Sequence, residues 1–159
     1  APSKPSFPEG IELRPFDETA HAELVYQADD EAFQDHWGYT TTPFKEWKRR
    51  AIESSDYDPE LWFIAWDGEE IAGYSVCRYR RGKGWVSFLG VRRPWRKRGL
   101  GLALLRHTFA EFYQRGTNVI SLGANETGAT RLYERAGMQV ASEYVTYEKE
   151  LRPGREEKI

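Results

Sequence analysis

The sequence predicts an α/β (α+β) domain, a mixed and mostly antiparallel central sheet of about six or seven strands flanked by about four helices. Three observations carry this reading. Apolar runs of strand length at 61–66, 71–79 and 85–91 are separated by the turn signals Asp67-Gly68 and Gly82-Lys83-Gly84. The third run passes at once into a helical stripe, Leu102, Leu105, Phe109 and Phe112, with Gly116 as its stop. At 159 residues the chain is one domain by length and large enough to bury a core without staples.

The remaining elements follow in order. Residues 1–10 hold Pro2, Pro5, Pro8 and Gly10 without apolar periodicity and read as an extended arm or linker. The domain proper is 11–151. Ile11 and Leu13 alternate with Glu12 and Arg14 as a first strand, and Asp17 caps a helix that runs to about Asp35. The stripe expected to be buried on that helix is Ala20, Leu24, Ala28 and Ala32. Thr42-Pro43 starts a second helix whose buried side is Phe44, Trp47 and Ala51. Beyond the third helix, Val119, Ile120 and Leu122 make a short strand, Asn125 opens a fourth helix carrying Ala129, Leu132 and Tyr133, and Gly137 stops it. Residues 140–147 supply the last strand, and 152–159 form a charged tail.

Bulk properties exclude several classes. The net charge of −2 goes against a general nucleic-acid binder, although residues 92–98 with Trp85 and Trp95 would allow bases to stack beside cations. No apolar run approaches the ~20 residues of a membrane span, so a soluble, cytoplasmic protein is expected. The one cysteine, Cys77, lies in a strand pattern and reads as a small core residue. No Cys/His metal spacing and no phosphate loop of the Gly-x-x-x-x-Gly-Lys kind occur, so no metal is expected.

Residues 86–101 are the chemically distinctive stretch. A strand ends near Val91, Pro94 forbids its continuation, and a helix opens near Gly99. Gly99 and Gly101 keep no side chain between an anion and the unpaired N–H groups of the helix's first turn, where the dipole is positive. Arg96 and Arg98 add planar donors suited to phosphate oxygens. A diphosphate matches this cradle.

The same stretch carries a resemblance. Leu89, Val91, Arg96, Gly99 and Gly101 stand in the order Leu-x-Val-x-x-x-x-Arg-x-x-Gly-x-Gly, which resembles the acyl-CoA-binding signature of the GNAT superfamily of N-acetyltransferases. A second segment, from Asn125 through Leu132 and Tyr133 to Gly137 and Met138, is similar to that family's Asn…Leu-Tyr-x-x-x-Gly-Phe, with Met138 in the aromatic's place. The wording Thr127-Gly128-Ala129 is similar to tandem members, including mycothiol synthase relatives.

The resemblance implies a GNAT-like fold, acetyl-CoA as cosubstrate and an amine acceptor, with no nucleic acid or membrane partner. It implies that Leu89, Gly90, Val91, Arg96, Lys97, Arg98, Gly99, Leu100, Gly101, Asn125 and Tyr133 bind the cosubstrate, the Val91 N–H polarising the thioester carbonyl. Tyr133 is the candidate general acid for the leaving thiolate. No Glu or Asp lies within 85–90, where many members keep a base, so the acidic group before Gly38 supplies the candidates: Glu31, Asp35 and His36, the last a neutral-pH proton acceptor by residue type. The expected activity is N-acetyl transfer to a primary amine. The rival reading is a non-catalytic acyl-CoA-binding or partner-binding module, half of a tandem protein; a second GNAT domain or a homodimer are the partners it leaves open.

Overall fold

Alternation of large apolar side chains along the strands decides which surface of the sheet each helix covers. The computed structural model describes residues 1–36, 38–123 and 129–142. Its order is β1 (Ile11–Arg14), α1 (Glu18–Phe33), α2 (Phe44–Ala51), β2 (Trp62–Asp67), β3 (Glu70–Arg80), β4 (Lys83–Val91), α3 (Leu100–Gln114), β5 (Ile120–Leu122) and α4 (Thr130–Arg135). The strands lie in the order β1-β2-β3-β4-β5, antiparallel except for the parallel pair β4–β5. In β2, Trp62, Ile64 and Trp66 join Val25, Ala28, Trp47 and Ala51 beneath α1 and α2. Phe63 and Ala65 turn to the other face, against Phe112 and Leu104 of α3.

The fold is the mixed α/β class expected, with five strands among the described residues. The last strand expected over 140–147 falls mostly outside them, and Val140 is exposed. Two buried stripes need correction. On α1 the buried residues are Ala22, Val25, Ala28 and Ala32, whereas Ala20 and Leu24 face solvent. Both stripes have helical spacing and share Ala28 and Ala32, so only the sheet's position selects between them. On α3 the buried set is Leu100, Ala103, Leu104, Leu105, Thr108 and Phe112, with Leu102 and Phe109 on its flanks.

Local chemistry accounts for the element ends. The Asp17 carboxylate accepts from the Ala20 N–H at 2.9 Å, an N-cap in place of an unpaired amide. Cys77 is buried as expected, 3.4 Å from the Ser75 hydroxyl, and burial pushes its thiol up to about 12. Phe7 of the arm packs edge-on to His107 of α3. No helix among the described residues is long and apolar enough to cross a membrane.

Two irregularities in β4 prepare the site. The β3–β4 register passes from Val76↔Phe88 to Cys77↔Val86, leaving Ser87 as the extra residue of a β-bulge. Among the described residues, pairing of β4 with β5 covers Gly84 to Val86 only.

Gly84 sits at the start of that parallel pairing, and a Cβ there would lie 2.9 Å from Phe112 Cδ1 and 3.1 Å from Ile120 Cγ1. Gly84→Ala is expected to lower the unfolding free energy by about 1–3 kcal/mol through overpacking. Urea denaturation measures this, with an unchanged m-value; wild-type stability would mean that Phe112 and Ile120 yield freely.

Candidate active site

The chain leaves β4 at Val91, makes one 3₁₀ turn over Arg93–Trp95, and enters α3 through Gly99. Buried Trp95 fixes the turn, its indole N–H donating to Asp67 at 2.8 Å. Lys97 (φ 62°) and Gly99 (φ 83°) are both left-handed, and alternation of this kind turns successive N–H groups toward one side as an anion-binding concavity. Among the described residues nothing lies within 4 Å of where a Gly99 side chain would begin, and Lys97, Arg98 and Gly99 are exposed around this opening. Gly101 has a second reason to be glycine: its Cβ would sit 3.1 Å from Leu132 of α4.

The arginines of this loop divide into two groups. Arg96, expected as a phosphate donor, turns its guanidinium into the protein, donating to the Val91 carbonyl (3.0 Å), the Ala32 carbonyl (2.9 Å) and Asp35 (2.9 Å). Arg93 also binds Asp35, and these two guanidiniums hold the exposed Asp35 carboxyl below the usual aspartate range. Arg92 binds Glu31 and the Ile71 carbonyl. The acids near the end of α1 and the basic run 92–96 are therefore each other's counter-charges. The carboxylate of Glu31, a candidate base by sequence, is engaged by Arg92, and Glu31 is not among the residues lining the cleft.

That cleft, of about 960 Å³, runs from the cradle along β4 to the end of α1. Its lining includes Lys97 and Gly101 of the cradle, Leu89, Gly90 and Val91 of β4, and Asp29, Asp35 and His36 at and beyond the end of α1, with Arg96 bound to Asp35 between them. The Arg92 N–H donates to the Ala72 carbonyl at 2.9 Å, so ladder alternation turns the N–H and C=O of Val91 away from β3, toward the cleft. Arg96 meets the Val91 carbonyl on that side. Tyr133 and Leu132 bring α4 to the same cleft, and partial burial raises the Tyr133 phenol above its usual range, keeping it protonated. His36 is exposed at the rim, its ring edge-on to Phe33 at 4.7 Å. Asn125 lies outside the described residues.

Sequence reasoning counts Asp29 in the acidic group before Gly38, which hints at a cationic substrate, but gives it no role of its own, and it passes over Ser87. Asp29 accepts from the Tyr74 hydroxyl at 2.6 Å and from the Trp47 indole N–H at 3.0 Å. Burial raises its pKa, with the two hydrogen bonds opposing. Tyr74 reaches it only because residue 90 is glycine: a Cβ there would stand 2.2 Å from the Tyr74 hydroxyl oxygen. The signal was present, since Asp29 directly follows Ala28 and stands three residues before Ala32, beside the apolar stripe. The Ser87 hydroxyl is buried in the cleft wall without a partner among the described residues. Among those residues no group of three His, Cys, Asp or Glu is placed to hold a metal ion.

A family model described as the acetyltransferase (GNAT) family matches residues 22–138. A mycothiol acetyltransferase of Streptomyces scabiei is 31% identical over 156 residues, which are 94% of this chain and 48% of that protein. One from Corynebacterium glutamicum (strain R) is 30% identical over 131 residues, 77% of this chain and 43% of that protein. The chain thus spans about half the length of the curated relatives it matches. A crystal structure of a GCN5-related N-acetyltransferase from Sphaerobacter thermophilus is 40% identical, with a TM-score of 0.75 over 87% of this chain and 44% of that one. The ribosomal-protein-S18-alanine N-acetyltransferase from Escherichia coli shares the fold at a TM-score of 0.67 and 20% identity, over 83% of this chain and 79% of that one. The matched residues contain the cradle, the parallel pair β4–β5 and α4, and the chain belongs to the acetyltransferase (GNAT) family.

Proposed function

We propose that this chain is an acetyl-CoA-dependent N-acetyltransferase that moves an acetyl group to a primary amine by direct attack. The observation that carries the reading is the continuity of one cleft from the α3 cradle, past the outward-facing Val91, to Tyr133. The open N–H groups of Gly99, Leu100 and Gly101, flanked by exposed Lys97 and Arg98, suit a diphosphate. Arg96 serves this site as the tie that fixes the loop to Val91 and to the end of α1. Leu89 and Gly90 flank an extended arm laid along the strand, and the Val91 N–H polarises the thioester carbonyl as charge develops on its oxygen. Tyr133, kept protonated by burial, gives its proton to the departing sulfur. The mycothiol acetyltransferases, of which this chain spans about half, favour a catalytic domain over a purely binding one.

Two variants test the cradle and the phenol. Gly101→Asp places a carboxylate against the anion and against Leu132, and should weaken acetyl-CoA binding by at least ~100-fold in calorimetry. Wild-type affinity in a folded variant would remove the cradle from the reading.

Tyr133→Phe should lower kcat by roughly 10²-fold or more with acetyl-CoA affinity within a few-fold. The acid form is the working form and burial raises its pKa, so the alkaline limb of the wild-type rate lies above the ordinary tyrosine value of 10.0. That limb should be missing in the variant; equal turnover in the two proteins would take Tyr133 out of the mechanism.

A further inference from the structure

Near the end of α1 stand four acids, Asp29, Asp30, Glu31 and Asp35, and two of them have arginine partners. Glu31 binds Arg92, and Asp35 binds Arg93 and Arg96. Asp29 is the most deeply placed, and among the described residues no Lys, Arg or His forms an ion pair with it. Its two oxygens each accept one neutral donor, the Tyr74 hydroxyl and the Trp47 indole. A carboxylate has about four lone-pair sites, so acceptor capacity remains on the side that faces the cleft.

The surroundings of that free side suit a cation. Trp47 stacks near Phe88 at 6.4 Å and meets Tyr26 at 5.5 Å, and these rings, with Phe33, wall the cleft around Asp29. Aromatic faces attract an ammonium group, and a low-dielectric wall strengthens its attraction to the carboxylate. The position is also tied to the reacting strand. The Tyr74 hydroxyl that holds Asp29 occupies the space of the missing Gly90 side chain, next to Val91.

We propose that Asp29 receives the ammonium group of the acceptor and takes its proton, acting as the base that the 85–90 strand segment lacks. This rests on the acetyltransferase reading above. The ammonium gives one proton to an Asp29 oxygen, which passes it to cleft water. The neutral nitrogen attacks the thioester carbon; the N–C bond forms, the C–S bond breaks, and sulfur takes the Tyr133 proton. The second nitrogen proton restores the Tyr133 phenol, so one proton leaves to solvent and one remains on the thiol.

Titration of Asp29 is shaped first by its burial, then by the hydroxyl of Tyr74 of β3 and the Trp47 donor of α2, and last by Asp30 on its own helix. Arg96 acts on the Tyr74 hydroxyl, and Tyr26, Tyr39, Asp35, His36 and Tyr133 face the same cleft. The carboxylate is the working form, and burial raises its pKa, so the acid limb of kcat/KM lies above the ordinary aspartate value of 3.8. Removing the Tyr74 hydroxyl removes a bond to the charged form and should move that limb to higher pH.

The test begins with a panel of primary amines assayed by thiol release from acetyl-CoA. Silence of the wild type toward every amine overturns the acetyltransferase reading and this assignment with it. On an acetylated amine, Asp29→Asn should lose roughly 10²-fold or more in kcat while acetyl-CoA binds within ~3-fold by calorimetry. Tyr74→Phe should stay active with its acid limb displaced upward. The Asp29 carboxyl, followed by ¹³C resonance, should titrate with that limb in both the wild type and Tyr74→Phe. Wild-type kcat in Asp29→Asn, an unmoved limb in Tyr74→Phe, or a carboxyl titrating elsewhere than the limb each overturns the assignment of Asp29 while leaving the acetyltransferase standing. If Asp29→Asn does not fold, the Tyr74→Phe profile and the carboxyl titration decide.

Discussion

One guanidinium holds the two halves of the site together. Arg96 donates to the end of β4 at Val91 and to the end of α1 at Ala32 and Asp35, so the strand that faces the cleft and the helix that bounds it share one set of hydrogen bonds. A planar fork with several fixed donors can meet acceptors from two elements at once, which the point charge of a lysine does less well. Two of the three acceptors are backbone carbonyls, one at the end of a helix where carbonyls lack intrahelical partners. The cradle N–H groups follow directly in sequence, so their aim depends on the same tie.

Arg92 and Arg93 extend the tie to Glu31 and Asp35, and this changes how the charged runs are to be understood. Five charges that could have served an anion on one side and a cation on the other neutralise one another across the protein. What remains for ligands is the backbone of the cradle, exposed Lys97 and Arg98, and Asp29, which forms no ion pair among the described residues and is held instead by the neutral donors Tyr74 and Trp47. Sites of this type work because the groups aimed at the ligand are held by others that are not. Asp29 fits that description, braced by Tyr74 and Trp47, and Gly90 makes the brace sterically possible.

The middle of β4 shows how a small irregularity opens a large space. The bulge at Ser87 changes the pairing of β4 with β3 where, among the described residues, its pairing with β5 ends at Val86. From there β3 is the strand's one ladder partner among the described residues, so Val91 turns its backbone groups away from β3 toward the cleft. The Ser87 hydroxyl, buried and without a partner among the described residues, lies at this bulge.

Much was decided by local chemistry that the sequence states openly. The Asp17 cap, the Asp67-Gly68 turn, the strand runs that became β2, β3 and β4, and the left-handed Gly99 before α3 each depend on neighbours a few residues away, so the order of elements and the cradle were legible. Tertiary structure alone decided three things. It selected Ala22 and Val25 over Ala20 and Leu24 on α1, because two stripes of the same period differ only in where the sheet lies. It joined Arg92 to Glu31 across 61 positions and Arg96 to Asp35 across another 61, giving both arginines partners within the protein. And it brought Tyr74, 45 positions away, under Gly90 to Asp29. Charge and hydrogen-bond partners are chosen by distance in space, and periodicity in the chain carries no record of which distant residue will stand opposite.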